Sequence, residues 1–283
     1  MNNDLVSIII PTFNRKDTIL KSLQSILNQT HKNIEVIIVD DGSTDETYRL
    51  FEKQTDKRIN FYRYEKNQGA CYARNYGFSK SNGVYIAFHD SDDEWVPSKL
   101  EEQLHELKKN NYDFIFCGMT RIKGNNKYYF PMTKFNENGD VLHQQLMQNH
   151  ISTQTMLMKR EVLEKVNFDI TFKRFQDWDF SLQVILNNFK IGYLEEPLVI
   201  SEVQKNSISA NIKTSLAYEH LYEKYKDLYN NNKELLAVIN ANIASGYRHI
   251  DKKKCRQYLK KSLKGKFNMK VLIKYICSFI KIY

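Results

Sequence analysis

Cysteine is sparse and dispersed: Cys71, Cys117, Cys255 and Cys277 stand far apart, with no C-x-x-C pair and no histidine cluster beside them. Neither a zinc site nor a disulfide framework is indicated, and reduced thiols in a cytosol are expected. No run of about 18 uncharged apolar residues occurs, which argues against a spanning helix. The opening MNNDLVSIII has no basic region ahead of its apolar run, and Pro11 interrupts that run, so no signal peptide is expected. Two phosphate-binding fingerprints are missing as well, since the chain has no G-x-G and no G-x-x-x-x-G-K-[ST]. Acidic residues are absent from positions 252–283, which hold ten lysines and Arg256. The formal charge of +9 therefore belongs to the tail, because the other 251 residues carry 31 basic and 33 acidic groups.

The 283 residues are 42% hydrophobic, enough to fill one large α/β core with a helical appendage. Val6 to Ile10 and Ile34 to Val39 are short β-branched runs, the pattern of strands buried on both faces of a parallel sheet. Between them Asp17 is expected to cap a helix carrying Ile19, Leu20, Leu23, Ile26 and Leu27, which completes a βαβ unit. Asn60 to Tyr64 and Val84 to Phe88 read as further strands, and Ala70 to Ser79 as a helix after Gly69. Pro97, Ser98 and Glu101 form a capping-box pattern at the start of another helix. A strand is expected at Phe114–Met119, loops and short strands over 120–150, and a strand at Thr153–Met158. Short helices follow at Arg160–Val166 and from Phe175 to Phe189, and 214–264 is mostly helical by pattern.

In a doubly wound sheet, ligands bind outside the carboxyl ends of the strands. Three polar clusters fall at such ends: Pro11-Thr-Phe-Asn14, Asp40-Asp-Gly-Ser-Thr-Asp45 and Asp90-Ser-Asp-Asp93. Asp-Gly-Ser alone is an ordinary turn with a helix cap. A single D-x-D is equally uninformative, since 16 aspartates in this length produce about one such spacing by chance. Its place directly after the buried run Val84–Phe88 is what gives it weight. Carboxylates gathered there repel one another unless a cation or hydrogen-bond donors compensate, and Mn²⁺ or Mg²⁺ held by one or two carboxylates plus substrate phosphates meets that need.

The segments VSIIIPTFNR, VDDGSTDET, NQGACYARNYG, FHDSDDEW and FQDWDF, in this order, resemble the signature of family 2 glycosyltransferases of the GT-A fold over roughly residues 5–210. The resemblance implies a Rossmann-like, mixed, mainly parallel sheet flanked by helices, in a catalytic domain at 1–212. Its nucleotide-binding half would be 1–110 and its acceptor-binding half 111–212, followed by a helical C-terminal region at 213–283. It places Asp40 and Asp41 at the nucleoside, Phe13 against the base, and Pro11 and Thr12 around the pocket. Asn67, Arg74 and Ser91 line the donor site, Asp90 lies near the ribose and the metal, and Asp92 binds the metal. The general base falls on Asp177, because an acceptor hydroxyl must lose its proton as it attacks the anomeric carbon. Asp179 reads instead as an early-helix carboxylate complementing the macrodipole.

Three positions depart from the family pattern. Gln176 replaces the acidic residue that usually precedes the base, Glu202 stands where an arginine is often found, and Gln204 stands where a histidine commonly ligates the metal or diphosphate. His89 and His143 are alternative ligands or, more simply, structural and surface residues. In the tail, Lys270, Lys274 and Lys281 fall on one helical face, with Leu272, Ile276, Phe279 and Tyr283 on the other. Such a helix can lie in an anionic membrane interface or pack its apolar stripe on the body. Nucleic acid is not expected as a partner, because no reading module accompanies the charge.

The implied activity is an inverting, metal-dependent hexosyl- or N-acetylhexosaminyltransferase. It would move a sugar from a nucleotide diphosphate donor of the UDP type to a saccharide acceptor, lipid-linked, in surface polysaccharide synthesis. The expected location is the cytoplasm, peripheral on the inner face of the plasma membrane. The alternative is a catalytically silent nucleotide- or saccharide-binding protein on the same fold, recruited to membranes by the tail. A nucleotidyltransferase would show a Gly- and Arg/Lys-rich loop after the first strand, which Pro11–Arg15 is not.

Overall fold

The computed structural model describes residues 4–202 and 214–279. The chain forms two compact units, one from Met1–Leu142, Asn149–Ile170 and Gln176–Lys205, the other from His143–Gln148, Thr171–Phe175 and Asn206–Tyr283.

The first unit is built on a nine-stranded mixed sheet with helices on both faces. The strands are β1 (Val6–Thr12), β2 (Ile34–Asp40), β3 (Ile59–Arg63), β4 (Tyr85–Phe88), β5 (Asp93–Trp95), β6 (Phe114–Lys123), β7 (Asn126–Phe130), β8 (Met156–Lys159) and β9 (Ile191–Glu202). They lie in the order β3-β2-β1-β4-β8-β6-β9-β5, with β7 hairpinned onto β6. Strands β3, β2, β1 and β4 are mutually parallel, so their carboxyl ends share one edge. Beyond them β8 runs antiparallel to both β4 and β6. The long β9 pairs parallel with β6 and antiparallel with β5.

Alternation along β1 distributes the core between two layers. Val6, Ile8 and Ile10 face Ile19, Leu23 and Ile26 of α1 (Ile19–Leu27), while Ile9 faces the layer containing Cys71 and Ala73 of α2 (Ala70–Ser79). Helix α3 (Lys99–Lys109) covers the same face as α1. After α4 (Val141–Met147), helices α5 (Arg160–Lys165) and α6 (Gln176–Leu186) join α2 on the other face.

Several local readings change in three dimensions. Pro11 does not end β1: the strand continues through Thr12, with Pro11 opposite Val39. β4 stops alongside Ile9, so from there β1 is an edge toward that side, where a residue without an N–H is tolerated. Asp17 is not the cap of α1, whose N-cap is Thr18, and the Arg15 carbonyl accepts from the Thr18 and Ile19 amides. The box at α3 does not close either. Gln29 Oε1 takes the Leu100 amide at 3.1 Å, and Glu101 accepts instead from the Thr30 hydroxyl at 2.6 Å. Strand β9 and helix α4 lie where the sequence carries no clear period. β9 is fitted to β6 through a register shift that sets Pro197 opposite Gly118, the kind of irregularity that accepts proline within a sheet.

The second unit contains α7 (Thr214–Lys224), α8 (Lys226–Asn230), α9 (Lys233–Tyr247), α10 (Lys252–Gly265) and α11 (Met269–Cys277). Two short segments from earlier in the chain complete it. Tyr229 donates to the Leu146 carbonyl at 3.1 Å, and Phe172 stacks on His220 at 4.1 Å. Among the described residues no helix is long and apolar enough to cross a membrane.

Candidate active site

The parallel half of the sheet delivers β1, β2 and β4 to one edge, and the predicted residues gather there. The Thr12 carbonyl accepts from the Asp41 amide at 2.8 Å, which locks the ends of β1 and β2 together. Asp40 is fully buried. Its Oδ1 accepts from the Ser43 amide at 2.9 Å, while Oδ2 makes no hydrogen bond and lies 3.5 Å from Arg63 Nε. Asp41 is also buried, and its two oxygens accept from the Gln68 and Gly69 amides at 2.7 and 2.8 Å. Gly69 is the N-cap of α2, so Asp41 holds the entry of that helix, where a carboxylate is favoured by the exposed amides. Gly42 has φ +78°, and a Cβ there would lie 3.0 Å from the Asn67 amide; glycine permits this close approach. Pro11 and Phe13 are half-buried, Thr12 is buried with an unpartnered hydroxyl, and Asn67 is exposed.

Arg74 joins segments far apart in sequence. Its guanidinium is buried, donates to Asp90 Oδ1 at 2.9 Å and to Gln176 Oε1 at 2.7 Å, and lies 5.3 Å from the Phe168 ring. Asp177, the next residue, is half-buried, and its Oδ1 accepts from the Trp178 amide at 2.8 Å. Burial lifts its pKa above the ordinary carboxylate range; the Trp178 amide, the Arg74 charge and an Asn149 hydrogen bond oppose this, and Asp90 adds to it. A carboxylate so raised is a stronger base than one in water.

The D-x-D segment is a tight turn, with the Asp93 amide on the Asp90 carbonyl at 3.1 Å. Ser91 is buried, and Asp92 pairs with Arg15 at 3.3 Å. Burial raises the Asp92 pKa, the neighbouring Asp90 charge raises it further, and Arg15 opposes both. Asp93, buried on β5, is raised strongly by desolvation and then by Asp90 and Asp92. Among the described residues no three His, Cys, Asp or Glu side chains gather as ligands of one ion. Divalent cations of the Mg²⁺ class need only one or two carboxylates when substrate phosphates complete the shell. Asp90 and Asp92, which repel one another and the third carboxylate Asp93, fit that role. Gln204 lies outside the described residues.

The histidines named as alternative ligands are otherwise engaged. His89 is buried, with Nε2 2.7 Å from the Ser22 hydroxyl and 3.1 Å from the Asp93 carbonyl, and burial pushes its pKa down to about 3. His143 belongs to the second unit, where it lies 4.0 Å from Glu234. Asp179 is buried on α6 and accepts from Gln183 at 2.7 Å.

Sequence reasoning missed a polar rail along α1 and the turn that follows it. Ser22, Ser25 and Gln29 hold the backbone around the D-x-D: Ser22 donates to the Asp90 carbonyl at 3.2 Å, Ser25 accepts from the Trp95 amide at 3.0 Å, and Gln29 donates to the Val96 carbonyl at 2.8 Å. Ser22 and Gln29 are buried while Leu20 is 51% exposed, the reverse of their hydropathy. The available signal was polar residues at helical spacing beside the apolar stripe. Arg15 joins the site through its ion pair with Asp92, a long-range contact that leaves no local sequence signal.

The profile described as glycosyl transferase family 2 matches residues 7–167. This chain belongs to glycosyl transferase family 2. It is 33% identical over 214 residues to the UDP-Glc:alpha-D-GlcNAc-diphosphoundecaprenol beta-1,3-glucosyltransferase WfgD of Escherichia coli, covering 75% of this chain and 82% of that one. Uncharacterized glycosyltransferases from Rickettsia species match at 32–43% identity, and the family 2 chain spans only 20–33% of their length. Among solved structures, S. aureus TarS in complex with UDP-GlcNAc superposes with a TM-score of 0.72 at 19% identity, over 94% of this chain and 82% of that one. The mannosyltransferase PcManGT from Pyrobaculum calidifontis, in complex with GDP-Man and Mn2+, gives 0.62 at 16%, over 98% and 80%. These likenesses show the GT-A fold, the α/β architecture expected from the sequence.

Proposed function

We propose that this family 2 protein is an inverting glycosyltransferase that moves a sugar from a UDP-type donor to a hydroxyl of a lipid-linked saccharide in surface polysaccharide assembly. Arg74 carries the reading: one buried guanidinium ties Asp90 of the D-x-D to Gln176, next to the base candidate Asp177. Donor-side and acceptor-side groups are thus held around a single cation. The UDP donor is supported by the names of WfgD and of the TarS complex, and the lipid-linked acceptor by that of WfgD.

In this reading residues 1–110 bind the nucleotide, with Asp40 at the nucleoside and Pro11, Thr12, Phe13, Asn67 and Ser91 shaping its pocket. Asp41 contributes by holding the loop that carries Asn67. Asp92, with Asp90, would hold Mn²⁺ or Mg²⁺, whose positive charge would offset the negative charge developing on the leaving diphosphate. Asp177 accepts the proton of the attacking hydroxyl, and Arg74 sets its distance from Asp90. Gln176 supplies the acceptor atom that Arg74 needs without adding a third negative charge. Displacement on the face opposite the diphosphate inverts the anomeric carbon. The enzyme would work peripherally at the cytoplasmic membrane face, attached through residues 252–283.

Incubation with a panel of nucleotide sugars, Mn²⁺ and lipid-linked saccharides is expected to release nucleoside diphosphate with a UDP-sugar. No release with any donor and acceptor would favour a silent binding protein instead.

A further inference from the structure

Helix α11 and the turn before it expose an unusual amount of apolar surface. Phe267, Met269, Ile273, Ile276 and Phe279 are each more than half exposed, and no residue of α11 itself is buried. Met269, Ile273 and Ile276 recur at four and three residues, which aligns them in one stripe. Lys270 and Lys274 follow along one edge, both exposed. This differs from the face expected from the sequence: Leu272 is half-buried, Ile276 and Phe279 stay outside, and Tyr283 and Lys281 lie beyond the described residues.

We infer that α11 is an interfacial helix for an anionic bilayer. Met269, Ile273 and Ile276 would enter the headgroup boundary, with Lys270 and Lys274 on lipid phosphates. Charge complementarity selects this occupant. The last 32 residues contain eleven basic groups and no carboxylate, so a second copy packed through this stripe would set lysines against lysines. Nucleic acid would satisfy the lysines and leave the Met-Ile stripe in water. An anionic leaflet satisfies both. With nine residues, α11 is too short to span a bilayer and suits lying in its plane. The inference deepens the proposed function by giving it a means of reaching a membrane-borne acceptor, and takes that acceptor from it.

The test is co-sedimentation of the full chain with phosphatidylglycerol/phosphatidylcholine vesicles and with phosphatidylcholine alone. Binding is expected on the anionic vesicles and to fall with salt. Lys270→Gln with Lys274→Gln should lower partitioning about 30-fold at low ionic strength. Ile273→Ser with Ile276→Ser should lower it at least about tenfold at any salt. Unchanged helicity and melting temperature would show that both variants fold. Equal partitioning of wild type and both variants, no preference for anionic lipid, or a dimer abolished by the serine pair would each overturn the inference. Nucleoside diphosphate release with a water-soluble acceptor is read in parallel. Its absence in wild type would count against the transferase reading and leave the vesicle result standing, whereas release without vesicle binding would do the opposite.

Discussion

Replacing Asp177 by asparagine should weaken catalysis and strengthen the fold at once. The asparagine Oδ1 can still accept from the Trp178 amide, so the local geometry survives, but the group can no longer take a proton. Loss of a positioned general base costs roughly 10²–10⁴ in rate, or about 3–5 kcal/mol of transition-state stabilisation. Donor affinity should stay near that of the wild type. The stability effect follows from the raised pKa, whose main cause is burial. A carboxyl whose folded pKa exceeds its unfolded one binds its proton more tightly when folded. Its ionisation therefore opposes folding increasingly as pH rises from the unfolded value through the folded one, and fully above it. Asp177→Asn should raise the melting temperature at pH 7, and the gain should shrink toward pH 4. The acidic limb of the wild-type rate profile should lie above the range of an ordinary carboxylate. Single-turnover transfer, donor titration and melting curves across pH measure these quantities. Transfer within tenfold of wild type, or a melting temperature that falls at pH 7, would refute the reasoning.

Chelation of divalent ions should abolish nucleoside diphosphate release, and Asp92→Asn should raise the Mn²⁺ concentration needed for half-maximal rate while also raising the melting temperature at pH 7, since burial and Asp90 hold its pKa up. Arg74→Lys keeps the charge but loses the fork that reaches Asp90 and Gln176 together. A rise in donor KM and a loss of at least about tenfold in kcat/KM, worth about 1.4 kcal/mol, are expected; wild-type kinetics would contradict the bridging role. Gln29→Leu strands the buried Leu100 amide and takes one of two donors from the Val96 carbonyl, which keeps the Lys99 amide, and denaturant titration should show a loss of about 2 kcal/mol.

Legibility followed the range of the interactions involved. Strands β1, β2 and β4 and helix α2 are legible because burial on both faces leaves continuous apolar runs, β-branched in β1 and β2, and because Gly69 marks a helix entry. Strand β9 is not legible in the sequence because it borrows its regularity from β6, where a register shift accommodates Pro197. The polar ends of β1, β2 and β4 were visible as clusters, and the topology then placed them on one edge. Capping fails as a local rule at α3 because Gln29, 71 residues before Leu100, accepts that residue's amide in place of a Ser98 cap.

By itself, the order of motifs determined the family and the chemistry available at each strand end, since residue type and spacing are properties of the chain. The same holds for the concentration of positive charge in the last 32 residues. Only the tertiary structure decided which of these groups meet. Arg74 reaches Gln176 across 102 residues, Arg15 reaches Asp92, and Ser22 and His89 hold the backbone of the D-x-D turn. Tertiary packing also turned Met269, Ile273 and Ile276 outward while half-burying Leu272. A side chain's burial, and hence its pKa and its partners, depends on neighbours brought by the fold, and no periodicity within one helix or strand carries that information.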